Sequence, residues 1–129
     1  MRLTDNFTLK ELTKTNTGLP NLITDLEIDN LSRLCQKVLQ PLRDIYGKPI
    51  IVNSGYRSER VNKAVGGVPT SQHRRGEAAD VTAGSREENK KLFEILKTME
   101  FDQLITYDYR FLHVSYTIRK PNRNQIILK

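Results

Sequence analysis

The chain has 129 residues, 21 of them Lys or Arg against 15 Asp or Glu, and a formal charge of +6. That length suits one compact domain spanning residues 1–129; the single cysteine, Cys35, excludes an intrachain disulfide framework and a multi-cysteine zinc ribbon. No apolar run approaches the ~20 residues that span a bilayer, and the positive balance suits an anionic partner such as nucleic acid, an anionic membrane or an anionic cell wall.

Three helix starts share one signature, a Ser or Thr followed three residues later by Glu, which satisfies free backbone N–H groups reciprocally. Thr8 with Glu11 opens a short helix over about 9–14, stopped by Gly18-Leu19-Pro20. Thr24 with Glu27 opens a longer one, whose apolar stripe reads Leu31, Leu34, Val38, Leu42, Ile45. Pro41 inside that stripe predicts a kink or restart, and Gly47 then Pro49 end the helix. Ile50 to Asn53 is a short strand candidate, followed by a long irregular stretch, Ser54 to His73, of a kind that is often functional. Ala78 to Thr82 is a second, weaker strand. Ser85 with Glu88 opens a third helix, with Leu92, Ile95, Leu96 and Met99 on its buried face. Phe101 to Tyr107 and Leu112 to Ile118 read as a hairpin turning near Asp108 to Phe111. Gln125 to Leu128 adds an edge strand. This order does not alternate regularly, so the expected class is α+β, an antiparallel sheet flanked by helices.

Chemistry concentrates on the only two histidines, His73 and His113. Two imidazoles and one carboxylate form a usual catalytic zinc set with a fourth place for water. Asp80 is the candidate carboxylate: it follows His73 by seven positions, across a glycine that permits a sharp turn. His113 alternates with Leu112 and Val114, so it faces away from them. Each histidine taken alone is more often a surface or hydrogen-bonded residue, and Asp80 could be an ordinary strand-end residue.

The run Ser54-Gly55-Tyr56-Arg57-Ser58, then Val61-Asn62, Val65-Gly66-Gly67, and Ser71-Gln72-His73 through Gly76, Ala78 and Asp80 resembles the M15 family of zinc peptidases. Phe101 to Ile105 and Leu112-His113-Val114-Ser115-Tyr116 match in the right order. The resemblance covers about residues 5–118 and is closest to the small single-domain branch, subfamily A. It implies the fold shared with Hedgehog signalling domains. It also implies one Zn²⁺ per chain on His73, Asp80 and His113, and hydrolysis of peptidoglycan stem peptides by attack of a zinc-activated water. The bond cut would be one to a D-amino acid, by a D-Ala-D-Ala carboxypeptidase or an endopeptidase. Arg57 would hold the scissile carbonyl and then the oxyanion. Ser71, Gln72 and Tyr56 would contact substrate.

The general base departs from the family pattern. Many relatives carry an acid three residues before the last His, where this chain has Arg110. Others carry Glu shortly after Gln-Leu-Ile, where the nearest acid here is Asp108. If the hairpin turns at Tyr109-Arg110, Asp108 shares a face with His113; an odd loop count turns it to the other face. Glu77 is the fallback. Should neither acid serve, the alternative is a non-catalytic zinc-containing wall-binding module or a Hedgehog-like relic.

Other features read as ordinary surface or core. Cys35 fits a buried thiol, Arg74-Arg75 and Lys90-Lys91 fit solvated faces, and no aromatic–basic platform for single-stranded nucleic acid is present. A basic nucleic-acid-binding protein is thus suggested by charge alone, and neither nucleic acid nor membrane insertion is expected. The expected setting is the bacterial cell wall, and the expected state a monomer. Met1 to Asn6 lacks the apolar core of a signal peptide. That suits a phage or prophage lysis enzyme, or a secreted protein separated from its leader.

Overall fold

The computed structural model describes residues 1–129. The chain opens with a two-stranded ribbon, β1 (Arg2–Thr4) and β2 (Phe7–Thr8), then α1 (Leu9–Thr13). Thr8 and Glu11 form the expected capping box at α1. Thr24 and Glu27 do the same for α2 (Asp25–Leu34). That helix does not break at Pro41. Cys35–Leu39 widen into a π turn, in which the Gln40 N–H donates to the Cys35 carbonyl, and α3 (Gln40–Tyr46) continues with Pro41 in its first turn. A proline lacks the N–H that an interior helical position would donate. Widening the turn just before it removes the need for a full restart. Gly47 closes α3 in the left-handed conformation. Ile45, expected on the buried stripe, is instead exposed, because the π turn shifts the helical phase by about one residue.

Five strands form the main sheet: β3 (Ile51–Ser54), β4 (Ala78–Thr82), β5 (Gln103–Thr106), β6 (Leu112–Ser115) and β7 (Gln125–Leu128), in the spatial order β3-β4-β6-β5-β7. The first four pair antiparallel, while β7 lies parallel to β5 at the edge. The class is α+β, as expected, with helices against a sheet that is antiparallel except at that edge, where residues 116–124 carry the chain back before β7 begins. The long stretch after β3 also holds a helix, α4 (Glu59–Ala64), and a 3₁₀ turn at Gln72–Arg75. Ser58 caps α4 without an acidic residue at the third position, so the start lacked the box that marked the other helices. The last helix, α5 (Arg86–Leu96), starts on Ser85 as expected.

One face of the sheet meets the helices. Val52, Ala79, Val81, Leu104, Leu112 and Val114 join Leu31, Leu34, Val38, Leu42, Leu92 and Leu96 in a single cluster of 20 buried residues. Each fully buried Leu contributes about 1.5–3 kcal/mol by leaving water. Cys35 lies in this cluster, and burial first, then Glu11, push its thiol up to about 12. No helix is long and apolar enough to cross a membrane. Strand alternation leaves the opposite sheet face to Asp80 and His113, which are directly paired across β4 and β6.

Candidate metal centre

The centre is built where that open face meets the 3₁₀ turn. The Ser71 hydroxyl accepts from the His73 N–H and caps the turn. Gly76 (φ 74°) reverses the chain into β4, which delivers Asp80 two residues into the strand. The His73 Nδ1–H donates to the Gly55 carbonyl at 2.6 Å. That bond fixes the tautomer and turns the Nε2 lone pair toward Asp80. Nε2 is buried, has no hydrogen-bond partner, and lies 3.3 Å from Asp80 Oδ1. On the other side, His113 Nδ1 lies 2.9 Å from the same oxygen. The three ligand atoms all fall within 4.8 Å of one another.

These spacings fit a metal. Donors about 2.1 Å from a tetrahedral zinc stand roughly 3.4 Å apart. Two nitrogens and one carboxylate oxygen match zinc's preferences, and a buried imidazole nitrogen with no partner is the kind of atom an ion would satisfy. Burial would raise the Asp80 carboxyl, but the His113 and His73 imidazoles overcome it and hold the group well below the usual carboxylate range. It therefore stays ionised and ready to ligate.

Arg57 stands beside this group. Its Nη2 is 3.6 Å from Asp80 Oδ2, its Nε donates to the Ser54 hydroxyl and its Nη1 to Asn62 Oδ1. A bulge between Val52 and Ser54 sets Ser54 opposite Asp80, in reach of the guanidinium. The Arg57 N–H donates to the His73 carbonyl. Burial lowers the guanidinium's pKa and the Asp80 charge opposes that. Held by three groups, the side chain is pre-aimed at the centre and not free to swing.

The other expected residues separate. Ser71 and Gln72 line a cleft of about 460 Å³ beside His113, with the Gln72 amide donating to Asp102. Tyr56 does not face that cleft: its ring is in the core and its hydroxyl donates to the Leu22 carbonyl. Nor does Asp108 reach the metal group. Ile105 pairs with His113 and Thr106 with Leu112, so the loop has an odd tip of Asp108, Tyr109 and Arg110. Asp108 and Tyr109 are both left-handed there (φ 54° and 55°). The Asp108 carboxylate is exposed and paired with Arg86 at 2.8 Å. Glu77 is also committed elsewhere, buried and bidentate with Arg119.

By the same parity, Tyr107 shares the face of Ile105 and His113. Burial raises its phenol pKa; the Asp80 charge adds to that and Arg57 opposes it. Tyr107 is not an acid, so the family pattern of a carboxylate base does not mark it in the sequence. The alternation Ile105, Tyr107 opposite His113 was the signal that could have found it.

Comparison with known proteins agrees with this geometry. The profile of the family described as Peptidase M15 matches residues 5–115. A zinc D-Ala-D-Ala carboxypeptidase from Streptomyces albus G is 51% identical over 49 residues, which are 37% of this chain and 19% of that protein. The chain thus matches about a fifth of the length of that curated relative.

Proposed function

Since the chain belongs to the peptidase M15 family, we propose that it is a zinc-dependent peptidase that hydrolyses peptidoglycan stem peptides at a bond to a D-amino acid. The observation that carries this is the convergence of His73 Nε2, Asp80 Oδ1 and His113 Nδ1 around one point, with the buried Nε2 otherwise unpartnered. The name of the Streptomyces relative supports the D-Ala-D-Ala class of bond. His73, Asp80 and His113 would hold one Zn²⁺ per chain. Zinc there would supply Lewis-acid polarisation of the peptide carbonyl and a water acidic enough to attack near neutral pH.

The chain's own residues do the rest. Arg57 places a fixed positive charge where the carbonyl oxygen gains negative charge, and a pre-aimed donor of this kind acts without reorganising. The Gly55 carbonyl holds His73 in the ligating tautomer. Ser71 and Gln72 form the near wall of the cleft in which the peptide lies. The substrate sits in the bacterial cell wall, as for a phage or prophage lysis enzyme or a secreted bacterial one, and the protein works as a monomer.

One observation favours a second reading. Asp108 and Glu77, the two acids expected to serve as base, are both ion-paired away from the metal group. A metal-stabilised, non-catalytic wall-binding module would show this too. Zinc stoichiometry on wild type and His113→Ala, followed by mass spectrometry of murein fragments, separates the two. The peptidase gives one zinc per wild-type chain, none in the variant, and fragments that EDTA abolishes and zinc restores. Cleavage indifferent to EDTA rejects the zinc reading; zinc binding without fragments selects the module.

A further inference from the structure

Residues 116–124, between β6 and β7, lie beyond the part of the chain that the family profile matches. They form a strap fastened at two points, one just before β4, which carries Asp80, and one just before β5, the neighbour of the strand that carries His113. Arg119 donates through Nε and Nη2 to both oxygens of Glu77, and the Thr117 hydroxyl donates to the same carboxylate. Arg123 donates through Nε and Nη2 to both oxygens of Asp102. Glu77 is three residues before Asp80, and Asp102 is fully buried at the start of β5. Bidentate pairs of this geometry fix orientation as well as distance.

Between the two fastenings sits Lys120. Its ammonium is 4.0 Å from Asp102, at the limit of an ion pair with a carboxylate already taken by Arg123 and Gln72. Arg75, on the facing 3₁₀ turn, pairs with no carboxylate. Arg75, Arg119, Lys120 and Arg123 all line the cleft beside His113, and no acidic side chain does. Two of the four are matched by Glu77 and Asp102. Two positive charges are left facing the space where the peptide would lie. Low-dielectric walls lined by one sign of charge concentrate the opposite charge.

We propose that this wall is a carboxylate subsite. Arg75 and Lys120 bind a free carboxylate of the peptide substrate, close in the chain to the bond held at the metal centre. Arg119 and Arg123, committed to Glu77 and Asp102, set where Lys120 stands. The proposal rests on the peptidase reading above for the identity of the ligand as a peptide, and it makes the substrate class an acidic one.

The test uses two matched pairs of stem peptides cut at one bond. In one pair the terminal carboxylate is free or amidated; in the other a side-chain carboxylate is. At low salt the zinc-loaded wild type is expected to favour the free acid of one pair by roughly fivefold in kcat/KM, the size of two half-exposed charge contacts. The pair that responds identifies which carboxylate is bound. Both Lys120 and Arg75 are exposed, so an Arg75→Gln, Lys120→Gln double variant keeps its fold, and its preference is expected to fall below about twofold. No preference in either pair, or a preference that survives in the double variant, overturns the subsite. If none of the four peptides is cleaved, the peptidase reading fails by itself. Calorimetric binding of the same peptides then decides the subsite: tighter binding of the acid that the double variant loses upholds it, and equal binding overturns it.

Discussion

Gly55 links the packing of α1 to the metal centre, and Gly55→Ala tests that link. A Cβ at this position would stand 2.3 Å from the Leu12 carbonyl oxygen, where ordinary contact begins near 3.4 Å. About 1 Å of movement is therefore required. The Leu12 side cannot withdraw freely, because its carbonyl accepts from the Tyr56 N–H at 2.7 Å and its side chain is fully buried. Movement falls instead on the Gly55 peptide, whose own oxygen receives the His73 Nδ1–H. Overpacking of this kind costs about 1–3 kcal/mol, and disturbing a group that orients a ligating histidine costs about 10- to 100-fold in metal affinity. Urea unfolding at fixed zinc measures the first effect, and competition against a chromophoric chelator measures the second. Gly47→Ala is the comparison. Gly47 is left-handed (φ 79°) with nothing within 4 Å, so alanine there costs about 1 kcal/mol of stability through backbone strain alone and leaves zinc affinity unchanged. If Gly55→Ala loses stability yet binds zinc as tightly as Gly47→Ala, the proposed path from α1 through the Gly55 carbonyl to His73 is wrong.

Two further outcomes are expected. Asp108→Asn changes kcat/KM by less than about twofold, since it removes only an exposed ion pair with Arg86, whereas Tyr107→Phe lowers it about tenfold by removing a hydroxyl that parity directs to the His113 face; steady-state kinetics on a single stem peptide ranks the two, and a larger loss in Asp108→Asn reverses the assignment. Acid unfolding reports on the strap: hydrogen bonds from Arg123 hold the Asp102 carboxyl down to about 2 against an ordinary 3.8, a depressed folded value, so the stabilisation is complete above that ordinary value and is lost as pH falls from about 4 to about 2. The step is on the order of 1–2 kcal/mol after allowing for the half-exposed guanidinium, and an Asp102→Asn protein whose stability falls as steeply as wild type across that window would show that the pair contributes nothing.

What could be read from the sequence divides by the range of the interaction that fixes it. The capping boxes at Thr8 and Thr24 and the one-sided cap at Ser85, whose Glu88 carboxylate turns instead to Tyr46 and Lys91, act within one turn, so a Ser or Thr and a Glu at fixed spacing were enough to place three helices. The convergence of the proposed ligand set was legible for a similar reason: the turn from His73 through Gly76 into β4 is local, and His113 needed only the alternation of its own strand. Errors arose where one unit of parity or phase decides the outcome. A tip of three residues in place of two carries Asp108 from the His113 face to solvent and brings Tyr107 in. One extra residue in the π turn rotates Ile45 out of the core. Tyr56 shows a different limit, because a Tyr flanking a functional Arg reads the same in sequence whether its ring packs inward or lines a cleft. Here the Leu22 carbonyl, distant in the chain, decides it. The strap was the least legible element, since its meaning comes from two buried carboxylates far from Arg119 and Arg123 in sequence. Glu77 and Arg119 are 42 residues apart and Asp102 and Arg123 21 apart, with no local spacing that pairs them. Burial of the two carboxylates needs a partner cation, and satisfying that need is what brings residues 117–123 down against the cleft. A demand made by the folded core thereby sets the charge of the wall that a peptide would meet.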